Sequence, residues 1–344
     1  MSFLYSIILY FIIIPAFILL VIRFTIRKLR GKVDLTNEVD VSGKTVIVTG
    51  ASDGIGKVTA EEFAVRGARV ILACRNLQKA ERAVADIRTR TTNGEMIIMH
   101  LDLSSLSSVR KFSSEFIEKY GGGLSILVNN AGVLNAAGKR KLTEDGFEEA
   151  FGVNHLGHFL LTNLLLPELA KAGEKNLSEP SRVVIVSSLA HTWGSLNFND
   201  LMYEKTPLED WRMMSKLYSN SKLANNLFNL ELAKRLRSGK VNVNCYALCP
   251  GIVDTNIGKE DMMNNPPPVY VTKILFPIFK WVIMKDSKEG AETTMYCSLS
   301  KYLTHQSGEM YRNCEFWDYS KRPKLSEKDA TKLWEMSEKL VKLN

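Results

Sequence analysis

The sequence lacks the features of a chain divided into several domains. Residues 42–320 contain no internal repeat, no low-complexity tract and no Pro/Ser-rich linker. A chain of 344 residues could hold one large α/β domain or two small ones. Its hydrophobic content of 45% and charged content of 24% are ordinary globular values. We therefore expect a single globular domain over residues 42–320.

Cysteine is scarce, and its pattern excludes two classes of protein. The five cysteines are odd in number and show no paired framework spacing, which argues against a secreted disulfide scaffold. Cys245 and Cys249 lack a second pair of ligands nearby, so a zinc site is not predicted. We expect thiols in the core and no metal site.

A continuous basic surface is also missing, although the net charge is +8. Part of the basic excess directly follows an N-terminal apolar segment. Elsewhere lysines and arginines alternate with acids, as at Glu81-Arg82 and within residues 115–119. The charge pattern does not favour a nucleic-acid partner.

The N-terminal segment contains no charge from Phe3 to Ile22, a length sufficient to span a bilayer as a helix. Pro15 would kink such a helix without preventing it. A cleaved signal peptide is the alternative, but it requires basic residues before the apolar core. Here the basic residues follow the core, at Arg23, Arg27, Lys28, Arg30 and Lys32. Because positive charge stays cytoplasmic, we expect a single-pass anchor in residues 1–24, a basic linker in 25–41 and a cytosolic domain.

Apolar strand patterns alternate with helical patterns after residue 42. The predicted strands cover residues 45–49, 69–74, 96–101, 125–129, 182–187 and 242–248. This alternation predicts a Rossmann-type, doubly wound parallel sheet with helices on both faces and ligands at the carboxyl ends of the strands. An amphipathic pattern over Leu325–Leu343 predicts a C-terminal helix, within residues 321–344, that packs on this α/β domain.

A glycine-rich turn, Thr49–Gly56, follows the first predicted strand and precedes a helical pattern. Its Gly-x-x-x-Gly-x-Gly spacing lets the backbone turn tightly and approach a pyrophosphate at a helix N-terminus. A plain strand-to-helix turn is the alternative. The flanking strand and helix favour a dinucleotide site.

Tyr218 and Lys222 lie four residues apart in a helical pattern, so both side chains fall on one helical face. A free phenol, with a pKa near about 10, exchanges protons poorly at neutral pH. A neighbouring cation favours the phenolate and lowers that pKa. The spacing alone is typical of a solvated helix face, and the motifs around it favour a catalytic pair.

Further motifs follow the predicted strands in order: Asp102, Asn129-Asn130-Ala131-Gly132, Asn154 within Val153–Gly157, Ser187-Ser188 and Pro250-Gly251. Together with the glycine turn and the Tyr–Lys pair they resemble the short-chain dehydrogenase/reductase family over roughly residues 42–315. The segments 73–76, 154–159 and 187–191 resemble its membrane-bound retinol dehydrogenase branch. This resemblance also suggests a seventh short strand near Glu309–Arg312.

The resemblance implies a role for each matching residue. Ser188 polarises the substrate oxygen, with Ser187 as the alternative, and Tyr218 is the general acid–base. Lys222 lowers the pKa of Tyr218 and binds the nicotinamide ribose, while Asn154 holds a helix kink and a proton-relay water. The implied cofactor-binding residues are Gly50, Ser52, Asp53, Gly54, Ile55, Gly56, Arg75, Asp102, Leu103, Asn130, Ala131, Gly132, Tyr218, Lys222, Pro250, Gly251, Val253 and Thr255.

The end of the second predicted strand favours NADP over NAD. An acid there would bind the ribose 2′-hydroxyl of NAD, but the sequence has Cys74 followed by Arg75, whose guanidinium can bind a 2′-phosphate. Lys57 could add positive charge, and a solvated lysine is the alternative.

Ser188, Leu189, Trp193 and Tyr218 are expected to contact the substrate. Phe198, Tyr203 and Trp211 are expected to build the wall of its site, and His155 and His191 to serve in packing. The apolar-rich segment Pro266–Met284 is interpreted either as a buried helix pair or as a lid over a lipophilic substrate at the membrane surface.

The sequence therefore predicts a membrane-anchored NADP(H)-dependent alcohol dehydrogenase or carbonyl reductase for a lipophilic substrate. Retinol/retinal leads, followed by sterols, isoprenoids and lipid aldehydes. We expect a role in lipid metabolism at the endoplasmic reticulum membrane. A non-catalytic NADP-binding scaffold is the rival hypothesis, and the resemblance leaves open whether the chain forms a homodimer.

Overall fold

The fold is built around one eight-stranded sheet with the order β3-β2-β1-β4-β5-β6-β7-β8. The computed structural model describes residues 10, 13–29, 39–134, 140–205, 211–257, 276–318 and 325–343. The strands are β1 (Thr45–Thr49), β2 (Arg69–Cys74), β3 (Glu95–His100), β4 (Ile126–Asn129), β5 (Ser181–Val186), β6 (Val243–Cys249), β7 (Met310–Arg312) and β8 (Glu315–Phe316). All neighbouring pairs from β3 to β7 are parallel. The predicted parallel doubly wound sheet is confirmed.

Helices cover both faces of the sheet because apolar residues point alternately to either side of each buried strand. The helices are α1 (Ile14–Leu29), α2 (Gly54–Val65), α3 (Leu77–Arg88), α4 (Leu106–Tyr120), α5 (His158–Lys175), α6 (Trp211–Ser238), α7 (Phe276–Ile283), α8 (Ser287–Leu299) and α9 (Glu327–Leu340). In β1, Ile47 belongs to the core that includes residues of α4, α5, α6 and α9. Val46 and Val48 belong to the opposite core, with residues of α2, α3 and α8.

The C-terminal helix α9 closes the first of these cores. Trp334 is 4% exposed, and its ring lies 4.9 Å from that of Phe159 and 5.7 Å from that of Phe228. Burial of an aromatic side chain of this size stabilises the fold by roughly 2–3 kcal/mol. Helix α9 is therefore an integral layer of the domain.

The eighth strand was not expected. β7 and β8 form an antiparallel hairpin through Asn313 and Cys314, whose φ angles are +53° and +62°. Two residues with positive φ produce the tight turn that matches strand twist. Because Asn-Cys carries no glycine, this turn gives little signal in the sequence.

A π-helical segment, Gly152–Gly157, lies between the helical turn Glu149–Phe151 and α5. A π-helix breaks the regular i→i−4 ladder of backbone hydrogen bonds and often marks a functional position. Asn154 lies inside this segment, where the sequence predicts a helix kink.

The N-terminal region differs in its boundaries from the expected anchor and linker. Helix α1 continues past residue 24 to Leu29, and Arg23 stacks on the Trp281 ring of α7 at 4.4 Å. None of the helices within the described ranges is both long and apolar enough to cross a membrane. Residues 1–9, 11–12 and 30–38, about half of the predicted anchor and linker, lie outside those ranges.

Candidate active site

A cleft of about 370 Å³ opens at the carboxyl ends of the central strands. Parallel α/β sheets bind ligands at this position because loops and helix N-termini converge there. The lining residues are Asp53, Gly54, Ile55, Gly56, Asn130, Ala131, Gly132, Val186, Ser187, Ser188, Tyr218, Lys222, Pro250, Gly251, Val253, Thr255, Asn256 and Ile257. The structure thus brings most of the residues predicted from sequence into one cavity.

The glycine turn forms one wall of this cleft. Its backbone packs so closely against neighbouring atoms that side chains would not fit there. A Cβ atom on Gly56 would lie 2.4 Å from the carbonyl oxygen of Gly50 and 2.5 Å from Nδ2 of Asn130. Gly50 itself has a φ of +66°, a conformation that favours glycine. The turn delivers the N-terminus of α2 to the cleft, and backbone N–H groups at such a terminus fit a pyrophosphate.

Asp53 lies at the mouth of the cleft and caps α2. Its carboxylate accepts hydrogen bonds from the Gly54 amide (2.8 Å), Nζ of Lys79 (2.7 Å) and Nδ2 of Asn256 (2.6 Å). Burial raises the pKa of Asp53, but these hydrogen bonds outweigh it and leave the pKa below its ordinary value. The carboxylate therefore joins the turn after β1, the first turn of α3 and the loop after β6.

Tyr218 is positioned by helix α6 so that it lies beside Ser188. Burial raises the pKa of Tyr218 to about 12, and a hydrogen bond with the Ser188 side chain offsets part of this rise. Ser187 also lines the cleft, but its buried hydroxyl donates to the backbone carbonyl of Lys222 at 3.0 Å. This arrangement favours Ser188 over Ser187 as the partner of the phenol.

Lys222 is one turn further along α6 and is 2% exposed. Its Nζ donates to the Val186 carbonyl at 3.0 Å and lies 5.6 Å from the centre of the Tyr218 ring. Burial lowers the pKa of Lys222 to about 8. The expected lowering of the pKa of Tyr218 by Lys222 is not seen in this arrangement, because desolvation of the phenol dominates.

Asn154 is held against the Val133 backbone by two hydrogen bonds. Its Oδ1 accepts from the Val133 amide at 2.8 Å, and its Nδ2 donates to the Val133 carbonyl at 3.0 Å and to Oγ of Ser221 at 2.9 Å. The side chain thus fixes the π-helical segment to the loop that follows β4 and to α6. It lies within 3.3 Å of the position that a Cβ atom on Gly132 would take.

Several predicted residues lie apart from the cleft lining. Arg75 is exposed at the end of β2 and makes no hydrogen bond or ion pair among the described residues. The Asp102 carboxylate accepts from the amide (2.9 Å) and hydroxyl (2.7 Å) of Ser104, and Leu103 packs beneath Gly157. Ser52 hydrogen-bonds the buried thiol of Cys74.

The expected substrate wall is only partly supported. Trp193 is 68% exposed outside the lining, whereas Leu189 packs against the small cluster of Ala247, Cys249 and Met310. Phe198 packs against the main core, and Tyr203 is buried, its hydroxyl accepting from Asn220 at 2.9 Å. The side chain of Trp211 lies outside the described part of the chain.

Sequence reasoning missed two buried polar groups, Thr49 and His158, and three lining residues, Val186, Asn256 and Ile257. The Thr49 hydroxyl accepts hydrogen bonds from the amides of Asn130 and Ala131, both at 2.9 Å, and lies 2.9 Å from Nε2 of His158. Asn256 lines the cleft beyond the expected Thr255. Thr49 follows three apolar residues at the carboxyl end of its strand, and this was the one available signal.

Comparisons with known proteins agree with this geometry. A family model described as short chain dehydrogenase matches residues 44–199. Retinol dehydrogenase 12 of Mus musculus is 40% identical over 92% of this chain and 92% of its own length. The chain belongs to the short-chain dehydrogenase family. Retinol dehydrogenase 14 of Homo sapiens is 42% identical over 88% of this chain and 87% of its own length.

The fold of this short-chain dehydrogenase also matches solved structures. A crystal structure of an uncharacterised protein from Mycobacterium paratuberculosis superposes with a TM-score of 0.66 at 33% identity, covering 88% of this chain and 95% of the other. Family membership and the tyrosine–serine–lysine cleft together identify an oxidoreductase that uses a nicotinamide cofactor.

Proposed function

We propose that this short-chain dehydrogenase is an NADP(H)-dependent, membrane-associated enzyme that transfers hydride between nicotinamide and a lipophilic alcohol or carbonyl. The observation that carries the proposal is the Tyr218–Ser188 pair, which opens into the glycine-walled cleft beside Lys222. Relatives about 40% identical are named retinol dehydrogenases, so a retinoid is our leading substrate. Sterols, isoprenoids and lipid aldehydes are the alternatives.

The residues of the cleft can bind and protonate a carbonyl substrate. The cofactor, when bound, supplies or accepts the hydride. The hydroxyls of Ser188 and Tyr218 would hold the substrate oxygen, and Tyr218 would donate its proton to that oxygen as hydride arrives. Because burial raises the pKa of Tyr218 to about 12, the phenol is protonated at neutral pH and holds the proton that reduction of a carbonyl requires.

The surroundings of Arg75 support NADP as the cofactor. The Arg75 guanidinium is exposed and has no carboxylate partner among the described residues, so it is available to a 2′-phosphate. Lys57, the second cation considered from sequence, forms an ion pair with Asp86 at 2.5 Å. Arg75 is therefore the better candidate for recognition of the 2′-phosphate.

An apolar surface beside the site supports the membrane proposal. Helix α7 exposes Phe276, Ile278, Phe279 and Trp281 by 39–45%, which favours an exposed apolar element over a buried helix pair for this part of Pro266–Met284. Residues 258–275 lie outside the described ranges. Helix α1 packs on α7 and exposes Phe17, Leu20 and Phe24 by 52–70%. Solvation of so much apolar surface in water is unfavourable, and a bilayer would cover it.

The direct test is reduction of all-trans retinal by the full-length protein in detergent, with NADPH and NADH compared at equal concentration. Turnover with NADPH and much slower turnover with NADH support the proposal. Binding of NADPH without turnover of retinal or of any aldehyde in a panel would favour the non-catalytic scaffold. Equal use of both cofactors would remove the NADP assignment.

Membrane topology is tested separately. Protease treatment of sealed microsomes should digest the catalytic domain without detergent, because we place it on the cytosolic side. Full protection would reverse this orientation. Recovery of the protein in the soluble fraction after an alkaline carbonate wash would rule out an integral anchor.

A further inference from the structure

A buried histidine outside the predicted catalytic group connects two parts of the site. His158 is the first residue of α5 and is 2% exposed. Its Nδ1 lies 3.1 Å from the carbonyl oxygen of Asn154, and its Nε2 lies 2.9 Å from Oγ1 of Thr49. The ring thus bridges the π-helical segment and the end of β1.

The hydrogen bonds fix the tautomer of this ring. A carbonyl oxygen can only accept, so Nδ1 carries the proton and donates to Asn154. Nε2 then has a free lone pair, and the Thr49 hydroxyl donates to it at 2.9 Å in preference to the Val128 carbonyl, which lies farther away at 3.3 Å. With its proton used in this way, the Thr49 oxygen accepts from the amides of Asn130 and Ala131, both at 2.9 Å.

The neutral ring is consistent with its surroundings. Burial, with a smaller contribution from the nearby Lys222 cation, lowers the pKa of His158 to about 4, and the hydrogen bond to the Asn154 carbonyl opposes part of this shift. Every polar atom in the chain from Asn154 through His158 and Thr49 to the Asn130–Ala131 backbone has a partner of the correct type. A fully satisfied buried network of this kind rigidifies the groups that it joins.

We propose that His158 is a positioning residue that locks the cofactor-binding loop Asn130–Gly132 to the carbonyl of Asn154. One nitrogen of the ring orients the Thr49 hydroxyl, which holds the loop amides at the cleft wall. The other nitrogen holds the Asn154 backbone in the interrupted helix. The inference rests on the proposed function, because the two groups that it joins serve cofactor binding and proton transfer there.

Three substitutions test separately the hydrogen bond from His158 to Asn154 and the hydrogen bond between His158 and Thr49. His158→Asn places an amide near the Nδ1 position and keeps the bond to Asn154. His158→Gln places an amide near the Nε2 position and keeps the bond to Thr49. Thr49→Val removes the hydroxyl at nearly constant shape, which tests the loop half without changing the histidine.

His155 provides a matched control. It lies in the same π-helical segment and is 1% exposed, but its Nε2 lies 2.9 Å from Oγ of Ser337 in α9, away from the cleft. His155→Gln should lower the melting temperature while NADPH affinity and kcat stay within about twofold of the unmodified enzyme.

The measurements are the dissociation constant of NADPH, followed by fluorescence without substrate, and kcat at saturation. We expect His158→Asn to weaken NADPH binding by about tenfold, the effect of one lost buried hydrogen bond, and Thr49→Val to weaken it by at least as much, because it also removes the acceptor of both loop amides. Because Thr49→Val already removes the hydroxyl that His158 orients, the double variant should bind no more weakly than Thr49→Val alone. His158→Gln should bind NADPH within about threefold and lose about tenfold in kcat.

Additive losses in the double variant would overturn the proposal, as would His158 variants that match His155→Gln in binding and turnover. If the His158 variants fail to fold, unchanged NADPH affinity in Thr49→Val is sufficient to overturn it. Failure of the unmodified protein to bind NADPH or reduce any aldehyde would instead overturn the proposed function.

Discussion

The cofactor side and the substrate side of this enzyme are built in different ways. The cofactor side consists of backbone at the ends of β1, β4 and β6, closed by glycines and by buried hydrogen bonds. The side that we propose for the substrate borders α7 and α1, which are far apart in the chain and meet through Arg23 and Trp281. The first is rigid and determined by local motifs, whereas the second is apolar, exposed and assembled from distant segments. Single substitutions should therefore change kcat and the preference for NADPH by large factors. They should change the efficiency of substrate delivery only by small factors.

The largest effect is expected at Tyr218. Tyr218→Phe removes the proton donor and should lower kcat by at least about two orders of magnitude. NADPH affinity, measured by fluorescence, should stay near that of the unmodified enzyme because the ring is retained. Tyr203→Phe is the matched control, since this buried tyrosine lies outside the cleft lining. Near-normal kcat in Tyr218→Phe would exclude the phenol from the mechanism.

The effect of Arg75 on KM for NADPH should be smaller than the effect of Tyr218 on kcat. Arg75→Ala should raise KM for NADPH by tens-fold, on the order of 2–3 kcal/mol for a lost charge-assisted hydrogen bond to phosphate. KM for NADH should change little, because NADH has no 2′-phosphate. Arg82→Ala removes the same charge from the exposed face of α3 and controls for net charge. Similar losses with both cofactors would contradict the assignment.

Substrate delivery should respond in several-fold steps. The double change Ile278→Ser with Phe279→Ser removes exposed apolar area from α7 and should lower kcat/KM for retinal in vesicles by about three- to tenfold. Activity on a short soluble aldehyde should be unaffected. Leu177→Ser removes a side chain that is 79% exposed after α5 and is the control. An equal loss on both substrates would place α7 in the chemistry and not in delivery.

Deletion of residues 1–30 removes the other apolar helix of the substrate side. The truncated protein should fold and bind NADPH, because the sheet begins at Thr45. It should keep activity on the soluble aldehyde and lose efficiency on vesicle-borne retinal. If the truncated protein works on vesicle-borne retinal as efficiently as the full-length protein does, α1 has no part in substrate delivery.

The smallest effect concerns stability. The pKa of Lys222 is lowered to about 8 in the fold, so the fold disfavours the ammonium. This cost is present below pH 8 and disappears as pH rises toward the unfolded value of about 10.4. Lys222→Met should therefore raise the melting temperature at pH 7 by a few degrees while weakening NADPH binding. The difference in melting temperature should shrink by pH 10, and a constant difference would contradict this origin.

Most of the cofactor side could be predicted from the sequence, because the motifs that build it act over a few neighbouring residues. The strands from β1 to β6 agree with their apolar patterns to within one residue at either end, because all of them except the half-buried edge strand β3 are buried on both faces. The glycine turn and the Tyr218–Lys222 spacing predicted the cleft because they act over a few residues. The Thr49–His158 bond could not be predicted, since it joins positions more than a hundred residues apart. The β7–β8 turn places Cys314, a residue type with no turn preference, beside Asn313 where glycine is the usual signal.

The substrate side was harder to predict for a different physical reason. An apolar segment such as Phe276–Ile283 is compatible with burial against the sheet and with exposure to lipid, and only its packing distinguishes the two. The aromatic residues between Ser188 and Tyr218 illustrate the same problem. Phe198 and Tyr203 are as apolar as a substrate wall requires, yet they pack into the protein interior.

The π-helical segment Gly152–Gly157 makes chain length a functional constraint at this point. Such a segment corresponds to an α-helix that carries one extra residue. Removal of any single residue from it would restore an unbroken helix. The helical turn Glu149–Phe151 would then rotate by about 100° relative to α5. The Asn154 side chain would then leave the Val133 backbone. Single-residue deletions should therefore be far less tolerated between 152 and 157 than in the exposed loop around Leu177.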